Sequence, residues 1–317
     1  MRERETNENP SKGSNKLKTE TSTRSHVIAV VQALFVVFLW ATSWVFVKVG
    51  LQHIPPITFA GLRYFLAFIC LSAAMTFSST KRDIRGLSKS SWTQLIILGI
   101  LFYAITQGAI FIALAYLPAV TVNVLWSFSS VLIALLGASW LSEKPSTIQW
   151  AGMALALVGA MIYFYPVNIP RNQGIGVIVA ILGILANSAS SILGRDVNRS
   201  GKYHPLIVTV ISMGTGSITL LIAGIATEGI PIINLRSWGI IIWLAVVNTA
   251  FAFTLWNHTL RTLSAVESSV INGSMMIWIP VLAIIFLHET ITTKELIGLA
   301  ITGLGTLIVQ LRRSPQK

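Results

Sequence analysis

A few charged side chains lie inside long apolar stretches, where they could do chemistry. Arg63 lies six residues into the stretch 57–77, and Glu267 lies just inside the stretch 265–287. A charged group in a bilayer is costly and usually faces a cavity or a partner. Arg63 could bind a substrate carboxylate through its bidentate fork. Alternatively, it could contact helix-end carbonyls or extend to the membrane interface.

Glu267 has two interpretations of its own. A carboxylate within the bilayer could carry a proton, which makes Glu267 a candidate for proton coupling. The same residue completes the pattern Ser264-Ala-Val-Glu267, which is typical of a capping box at a helix start. Arg261 is close enough in sequence to pair with it. The same capping-box pattern predicts boxes at Ser91 with Gln94, at Ser146 with Gln149 and at Thr292 with Glu295.

Neutral polar residues are scattered through the other apolar stretches. Taken singly, each could be an interhelical hydrogen-bonding group. Taken together, they predict a shared polar cavity with aromatic walls that could stack on a solute, although a tryptophan at the membrane interface is the alternative for Trp44. The predicted cavity residues are Trp40, Trp44, Arg63, Gln107, Asn123, Trp126, Ser127, Asn187, Asn248, Asn257 and Asn272.

Enzymatic and metal chemistry have no pattern in this sequence. The five histidines are scattered without ligand spacing, so neither a metal site nor a cofactor is predicted. No nucleophile-elbow, zinc-protease or phosphate-loop motif occurs, which argues against an enzyme. The single cysteine, Cys70, excludes an internal disulfide.

The elements that must position these residues are membrane-spanning helices. Of the 317 residues, 54% are apolar and 11% are charged. Soluble domains carry about 25% charged residues. The composition therefore predicts an all-α integral membrane protein, and the net charge of +12 needs no nucleic acid to explain it. A bilayer core needs about 20 helical residues per span. The predicted spans are 27–47, 57–77, 92–115, 119–141, 148–165, 174–194, 206–227, 238–260, 265–287 and 295–311.

Basic residues are distributed unevenly between the two sides of these spans. Ten crossings place 18 of the 23 Lys and Arg residues on the side of the N-terminus and three, Arg171, Arg236 and Lys294, on the other side. Because basic loops stay in the cytoplasm, both termini are predicted to be cytoplasmic. The polar segment 1–25 is predicted to be a disordered tail, and 312–317 a short second tail.

The sequence also resembles itself at a fixed offset. Segment 91–160 matches 237–306 without a gap, with the pairs Ser91/Ser237, Trp92/Trp238, Glu143/Glu289, Gly152/Gly298 and Gly159/Gly305. Because each half has five spans, an odd number, the second half must be inverted in the membrane relative to the first. Equivalent loops should then differ in charge, and the basic residues of 81–89 indeed have no counterparts in 227–235. These features predict two inverted five-helix repeats, an architecture that lets one site face either side in turn. A duplication that serves only structure is the alternative.

Matched residues at span ends carry two further predictions. Glu143 and Glu289 each end a helix, and the nearest donors in the sequence are the first N–H groups of the following span, which predicts that the two carboxylates fix turns. The pairs Gly152–Gly159 and Gly298–Gly305 are typical of close helix packing, either within the chain or at the face of a homodimer.

Several of these motifs resemble a known family. The fourth span of each half ends in Leu-x-Glu (Leu141 to Glu143, Leu287 to Glu289), a glycine-rich fifth span follows, and the first span carries Trp40-Ala-Thr-Ser-Trp44 and then Lys48. Together with Arg63, this pattern resembles the drug/metabolite transporter superfamily, EamA type, over about 26–313. The resemblance implies one five-helix repeat at 26–166, a second at 174–311, and a central cavity between them. It also implies that the protein exports small metabolites or amino acids.

The expected function is therefore that of a secondary transporter in the cytoplasmic or plasma membrane. It would export small polar metabolites, amino acids above all, by alternating access. Its expected partners are a small-molecule substrate and the lipid bilayer, with no nucleic acid and with a homodimer left open. The alternatives are a drug or nucleotide-sugar exporter of the same superfamily, a non-transporting sensor, and an intramembrane enzyme.

Overall fold

The computed structural model describes residues 10–77, 86–140, 146–166, 170–199 and 204–310. These ranges contain helices and short connections and no β-strand, which confirms the all-α prediction for the described part of the chain. The α-helices are α1 (Pro10–Gly50), α2 (Pro56–Thr76), α3 (Lys89–Gly99), α4 (Gln107–Tyr116), α5 (Ala119–Trp140), α6 (Thr147–Phe164), α7 (Arg171–Arg199), α8 (Pro205–Glu228), α9 (Leu235–Ala245), α10 (Ala252–Thr259), α11 (Ala265–Gly273), α12 (Met275–Leu287) and α13 (Thr293–Gln310).

Within the described ranges, nine helical stretches are long and apolar enough to cross a membrane, and they correspond to the first nine predicted spans. The tenth predicted span also forms a helix, α13, but its first turn carries Lys294 and Glu295. At the other end of the chain, α1 begins at Pro10, well before the predicted span 27–47. The backbone over 10–25, which we predicted to be disordered, therefore extends the first helix.

Three predicted spans are interrupted in ways that the hydrophobic pattern did not indicate. The π-helical segment Ile100–Thr106 separates α3 from α4, and the π-helical segment Val246–Phe251 separates α9 from α10. In each π segment a threonine hydroxyl donates to the carbonyl oxygen five positions earlier (Thr106 to Leu101, Thr249 to Leu244, both 2.8 Å). The ninth span is divided at Ser274, between α11 and α12.

Helix starts follow local sequence chemistry closely. Full capping boxes form at Ser146 with Gln149 and at Ser264 with Glu267, as predicted. The box predicted at Ser91 is wrong, because Ser88 caps α3 and accepts the N–H of Ser91 at 3.2 Å. Ser88 lies three residues before Ser91, so its side chain can accept the free N–H group of Ser91. The helix therefore begins before the predicted cap.

Two pairs of helices make the most intimate contacts in the bundle. Helix α2 packs on α8, where Gly61 lies against the backbone of Leu221 and Gly224 against that of Thr58. Helix α6 packs on α13 through the glycines matched in the sequence. Small residues let two backbones approach in this way, and such contacts stabilise membrane bundles through dispersion forces. The glycine pairs thus pack within the chain, the first of the two predicted alternatives.

The α6–α13 contact leaves no room for a side chain at Gly298. A Cβ there would lie 2.6 Å from the backbone nitrogen of Tyr163 and 2.7 Å from the carbonyl oxygen of Gly159. We therefore expect Gly298→Ala to force the helices apart and to lower stability by about 1–3 kcal/mol, measured by thermal unfolding of the purified protein in detergent.

Gly239→Ala is the matched control, since a Cβ at Gly239 meets nothing within 4 Å. It should leave stability unchanged or raise it by about 0.5–1 kcal/mol, because alanine is the better helix former. Equal melting temperatures for the two variants would contradict the backbone-on-backbone contact.

Candidate functional site

Arg63 is the one charged residue of α2, and only 6% of its surface is exposed. Its Nε donates to Thr249 Oγ1 at 3.2 Å, across the bundle on the π segment before α10. The guanidinium carbon lies 5.1 Å from the ring centre of Tyr64 and 5.9 Å from that of Phe111. Among the described residues, no carboxylate forms an ion pair with it. Arg63 therefore faces the protein interior, which rules out the alternative of extending to the interface.

A second polar contact adjoins Arg63. The Tyr64 hydroxyl donates to Gln107 Oε1 at 2.7 Å, and the Tyr64 ring lies against that of Tyr103. Gln107 is the first residue of α4, directly after the π segment. Helix α2 and the third predicted span therefore meet through side-chain hydrogen bonds at the same level as Arg63.

Asn248 connects the other π segment to α1. Its side chain is fully buried, and its Nδ2 donates to the carbonyl oxygen of Leu39 and to Thr42 Oγ1, the latter at 3.2 Å. Its Oδ1 has no hydrogen-bond partner. The next residue, Thr249, is the one that accepts from Arg63. Arg63 is therefore connected to the predicted site residue Asn248 through Thr249, and to Gln107 through Tyr64.

Two aromatic residues lie in the part of α1 that contacts Asn248. The ring of Trp40 lies 5.3 Å from that of Phe253 and 5.2 Å from that of Trp256, and its buried Nε1 has no partner. Trp44 is only 9% exposed and belongs to the central apolar core. Trp44 is thus an interior residue of the protein, not a residue of the membrane interface.

A separate polar group lies between α5, α7 and α12. Asn187 Nδ2 donates to Ser129 Oγ, Asn123 Nδ2 approaches the Met276 sulfur at 3.5 Å, and Ser127 Oγ donates to the carbonyl oxygen of its own helix at Val124 (2.6 Å). Trp126, on the same helix, lies against Gly183. No described hydrogen bond joins this group to Arg63, so the cavity residues predicted as one set form at least two groups.

Two of the predicted residues are accessible, not buried. Asn257 and Asn272 are exposed, so neither is part of the buried groups in this conformation. Glu267 is 40% exposed, its Oε2 accepts from the Ser264 N–H and hydroxyl at 2.8 and 2.7 Å, and its Oε1 lies 3.0 Å from His26 Nε2. His26, not Arg261, is its observed partner. Proton coupling by Glu267 stays a prediction.

Sequence reasoning missed two residues that hold the site together. Thr249 and Tyr64 carry neither a charge nor an amide, so neither stands out within an apolar span. Each directly follows a residue that was singled out, Asn248 and Arg63. This adjacency is the signal that could have identified them.

Charged side chains also complete helix ends at one end of the bundle. Glu289 accepts the N–H groups of Ala119 (2.6 Å) and Val120 (3.1 Å), at the start of α5. Lys48 Nζ donates to the carbonyl oxygens of Leu114 and Leu117, at the end of α4. The negative carboxylate thus lies at the positive N-terminal end of the α5 dipole, and the positive ammonium lies at the negative C-terminal end of the α4 dipole.

This arrangement corrects the prediction for Glu289. Its donors belong to α5 of the first half, not to the following span. After α12 ends, the Glu289 side chain lies beside the start of α5 and bonds the N–H groups there. Glu143 lies outside the described residues. Together with Gln52 and His288, Lys48 and Glu289 line an open cleft of about 570 Å³.

A third such contact lies at the start of α2. Glu228, the last residue of α8, accepts the N–H groups of Ile57 and Thr58 at 3.0 and 2.8 Å, and the hydroxyl of Thr58 at 2.8 Å. The preceding Pro56 has no N–H of its own, so the carboxylate bonds the first donors that the helix offers.

The long apolar helices of the described residues indicate a multi-pass membrane protein. The EamA-like transporter family model matches residues 27–165 and again residues 174–311. The chain therefore belongs to the EamA-like transporter family, as its motifs indicated.

Similar proteins extend over most of the chain. The uncharacterized transporter YvbV of Bacillus subtilis is 25% identical over 89% of this chain and 92% of its own length. A protein of Salmonella typhimurium named "probable amino-acid metabolite efflux pump" is 24% identical over 87% of this chain and 92% of its own length. A solved crystal structure aligns with a TM-score of 0.62 and 16% identity over 89% of this chain and 96% of that one, which shows a shared fold.

The contact of Glu289 with α5 predicts a measurable loss of stability. In Glu289→Gln, one carboxylate oxygen is replaced by an NH₂ group that cannot accept from the Ala119 or Val120 N–H. We expect a destabilisation of about 1–2 kcal/mol, measured by thermal unfolding in detergent.

Glu295→Gln serves as the control. Glu295 caps its own helix at Thr292, and glutamine fulfils the same role in a capping box. Its effect should stay below about 0.5 kcal/mol. A larger loss in Glu295→Gln than in Glu289→Gln would contradict the role assigned to the contact between the two halves.

Proposed function

We propose that the chain is a secondary transporter that exports small polar metabolites, amino acids or related compounds, across the cytoplasmic membrane by alternating access. Membership of the EamA-like transporter family supports transport. The amino-acid metabolite efflux named for the relatives from Salmonella typhimurium and Escherichia coli supports the substrate class and the direction.

Arg63 is the observation that carries this proposal. A guanidinium buried in an apolar bundle needs an anionic or strongly polar partner, because desolvation of a charge is costly. Among the described residues, one neutral hydroxyl and two aromatic rings face it. A carboxylate of the substrate would supply the missing charge through two parallel hydrogen bonds.

Helix contacts in the two halves support an inverted repeat. Helix α2 packs on the π segment before α10, and α8 packs on the π segment before α4. Likewise α1 packs on α10 and α12, and α7 packs on α4 and α5. The two π segments begin at Ile100 and Val246, which are matched positions of the sequence repeat. Two halves related in this way could rock about the central site.

The first test is solute counterflow in proteoliposomes. Purified protein, preloaded with unlabelled amino acids, polyamines, nucleosides or sugar phosphates, is offered the labelled counterpart. We expect accumulation of amino acids, and we expect Arg63→Gln to lower it at least tenfold because the carboxylate then loses its charged partner.

Arg236→Gln is the matched control, since Arg236 is an exposed arginine at the start of α9. It should transport like the unmodified protein. Accumulation of polyamines alone, or full transport by Arg63→Gln, would contradict the carboxylate site. Absence of counterflow for every class by folded protein would contradict the exchange carrier.

Topology provides an independent test of the inverted repeat. With both termini cytoplasmic, a fluorescent protein fused after Lys317 should fluoresce, and alkaline phosphatase at the same position should be inactive in bacterial cells. A fusion after Tyr165, the last residue of the fifth predicted span, should show the opposite pattern. The same pattern at both positions would rule out an odd number of crossings between them and, with it, the inversion.

A further inference from the structure

Asn248 leaves one strong acceptor without a partner in the centre of the bundle. Its side chain is 0% exposed, and its Nδ2 bonds to the Leu39 carbonyl and to Thr42. A carbonyl oxygen can only accept, so it fixes which end of the amide faces α1. The Oδ1 atom is therefore directed away from these two donated bonds, and it has no partner of its own.

Trp40 leaves a donor without a partner beside the same helix contact. Its Nε1 is buried and unbonded, and the residue directly follows Leu39, whose carbonyl oxygen accepts from Asn248. Three buried side-chain atoms of the described residues lack a partner, Trp40 Nε1, Ser72 Oγ and Asn248 Oδ1. Two of the three thus lie where α1 packs on the π segment and on α10. Buried groups of this kind are normally satisfied, and each exception needs an explanation.

The helix contact that contains these two atoms also adjoins a residue that bonds Arg63. Thr249, which accepts from Arg63 Nε, is the neighbour of Asn248 in the chain. The Arg63 guanidinium therefore bonds the π segment that carries the unbonded amide oxygen, and the unbonded indole N–H belongs to α1 where it packs on α10, directly after that segment. The rings of Trp40, Phe253 and Trp256 add an apolar wall.

We infer that Asn248 Oδ1 receives the ammonium group of an α-amino acid whose carboxylate is held by Arg63. This inference rests on the proposed function and names the group that recognises the second charge of the substrate. An α-amino acid carries its acceptor and donor groups on one carbon, so adjacent complementary groups can bind both. The Trp40 N–H would donate to the carboxylate, and the aromatic wall would contact the side chain. A polyamine lacks the carboxylate, and a 2-hydroxy acid lacks the ammonium.

The site is shut in this conformation. Both unbonded atoms are sealed from solvent, so a solute would reach them when α1 separates from the helices around the second π segment. Helix α1 belongs to the first half of the chain, and α9 and α10, which flank the second π segment, belong to the second half. Separation of the two halves is what alternating access requires. Substrate bonds to these atoms would then replace bonds that the closed packing leaves unmade.

The test compares an amino acid with the same molecule lacking its ammonium group. Proteoliposomes are offered labelled L-leucine or L-phenylalanine, and unlabelled 2-hydroxy analogues, 2-hydroxy-4-methylpentanoate and phenyllactate, compete. We expect the intact protein to prefer each amino acid at least tenfold. We expect Asn248→Leu, which has no acceptor, to lose that preference, and Asn248→Asp to keep or increase it.

Two control variants separate recognition from structure. Thr42→Val removes a bond of the same α1 contact but keeps the acceptor, and Asn187→Leu removes an asparagine of the separate polar group. Both should retain the preference. Loss of preference in Thr42→Val to the extent seen in Asn248→Leu would assign Asn248 a structural role and overturn the inference.

The failures of the two proposals are distinguishable. Transport of amino acids and hydroxy acids with equal preference by the intact protein would overturn the ammonium site and leave the carrier intact. A preference that survives in folded Asn248→Leu would do the same. Transport of neither compound would count against the proposed function and would overturn the ammonium site with it.

Discussion

The structure depends on the need of every backbone N–H and C=O group to find a partner where water is absent. In apolar surroundings an unmade bond is costly, so the chain must be helical wherever it crosses the membrane. The difficulty is confined to helix ends and interruptions, and these are where charged and hydroxyl side chains lie. Glu228 and Glu289 bond the first N–H groups of α2 and α5, and Lys48 bonds the last carbonyls of α4.

The same requirement explains the two π segments. A π segment changes the register of a helix, and the threonine hydroxyls at Thr106 and Thr249 bond carbonyls of the preceding turn. Such segments often occur at functional sites. Here one segment carries Asn248 and Thr249 towards α1 and α2, and the other precedes Gln107. The polar site is therefore built where the helices depart from regular geometry.

The sequence was sufficient for features that depend on local chemistry or on composition. The apolar stretches, the capping boxes at Ser146 and Ser264, and the glycines of α6 and α13 follow from residue types at fixed spacing. Partners across the bundle could not be predicted in the same way. Glu289 was assigned donors in the next span because only sequence distance was available, whereas its donors lie far back in the chain, at the start of α5.

Site residues divide along the same line. Arg63 and Asn248 could be identified because a charge or an amide in an apolar span is rare and expensive. Asn257 and Asn272 are of the same type, but they lie at exposed positions, and helical spacing alone does not determine which face of a helix is covered. Thr249 was missed because the hydrogen bond that gives it importance comes from α2.

The two ends of the bundle differ in the charged side chains that bond helix ends across the two halves. Glu228, Glu289 and Lys294 extend from the second half to backbone atoms of the first half, at Thr58, Ala119 and Tyr165. In an alternating bundle these positions share one end, whereas the described contacts at the other end include the neutral Gln149 and the exposed His26–Glu267 pair. Charged bonds between the two halves are therefore concentrated at one end of the described bundle. In a transporter that alternates as proposed, a bundle held more strongly at one end would rest in one orientation. A solute presented to its two faces would then meet different apparent affinities, since the orientation that is rarely populated binds only in proportion to its population.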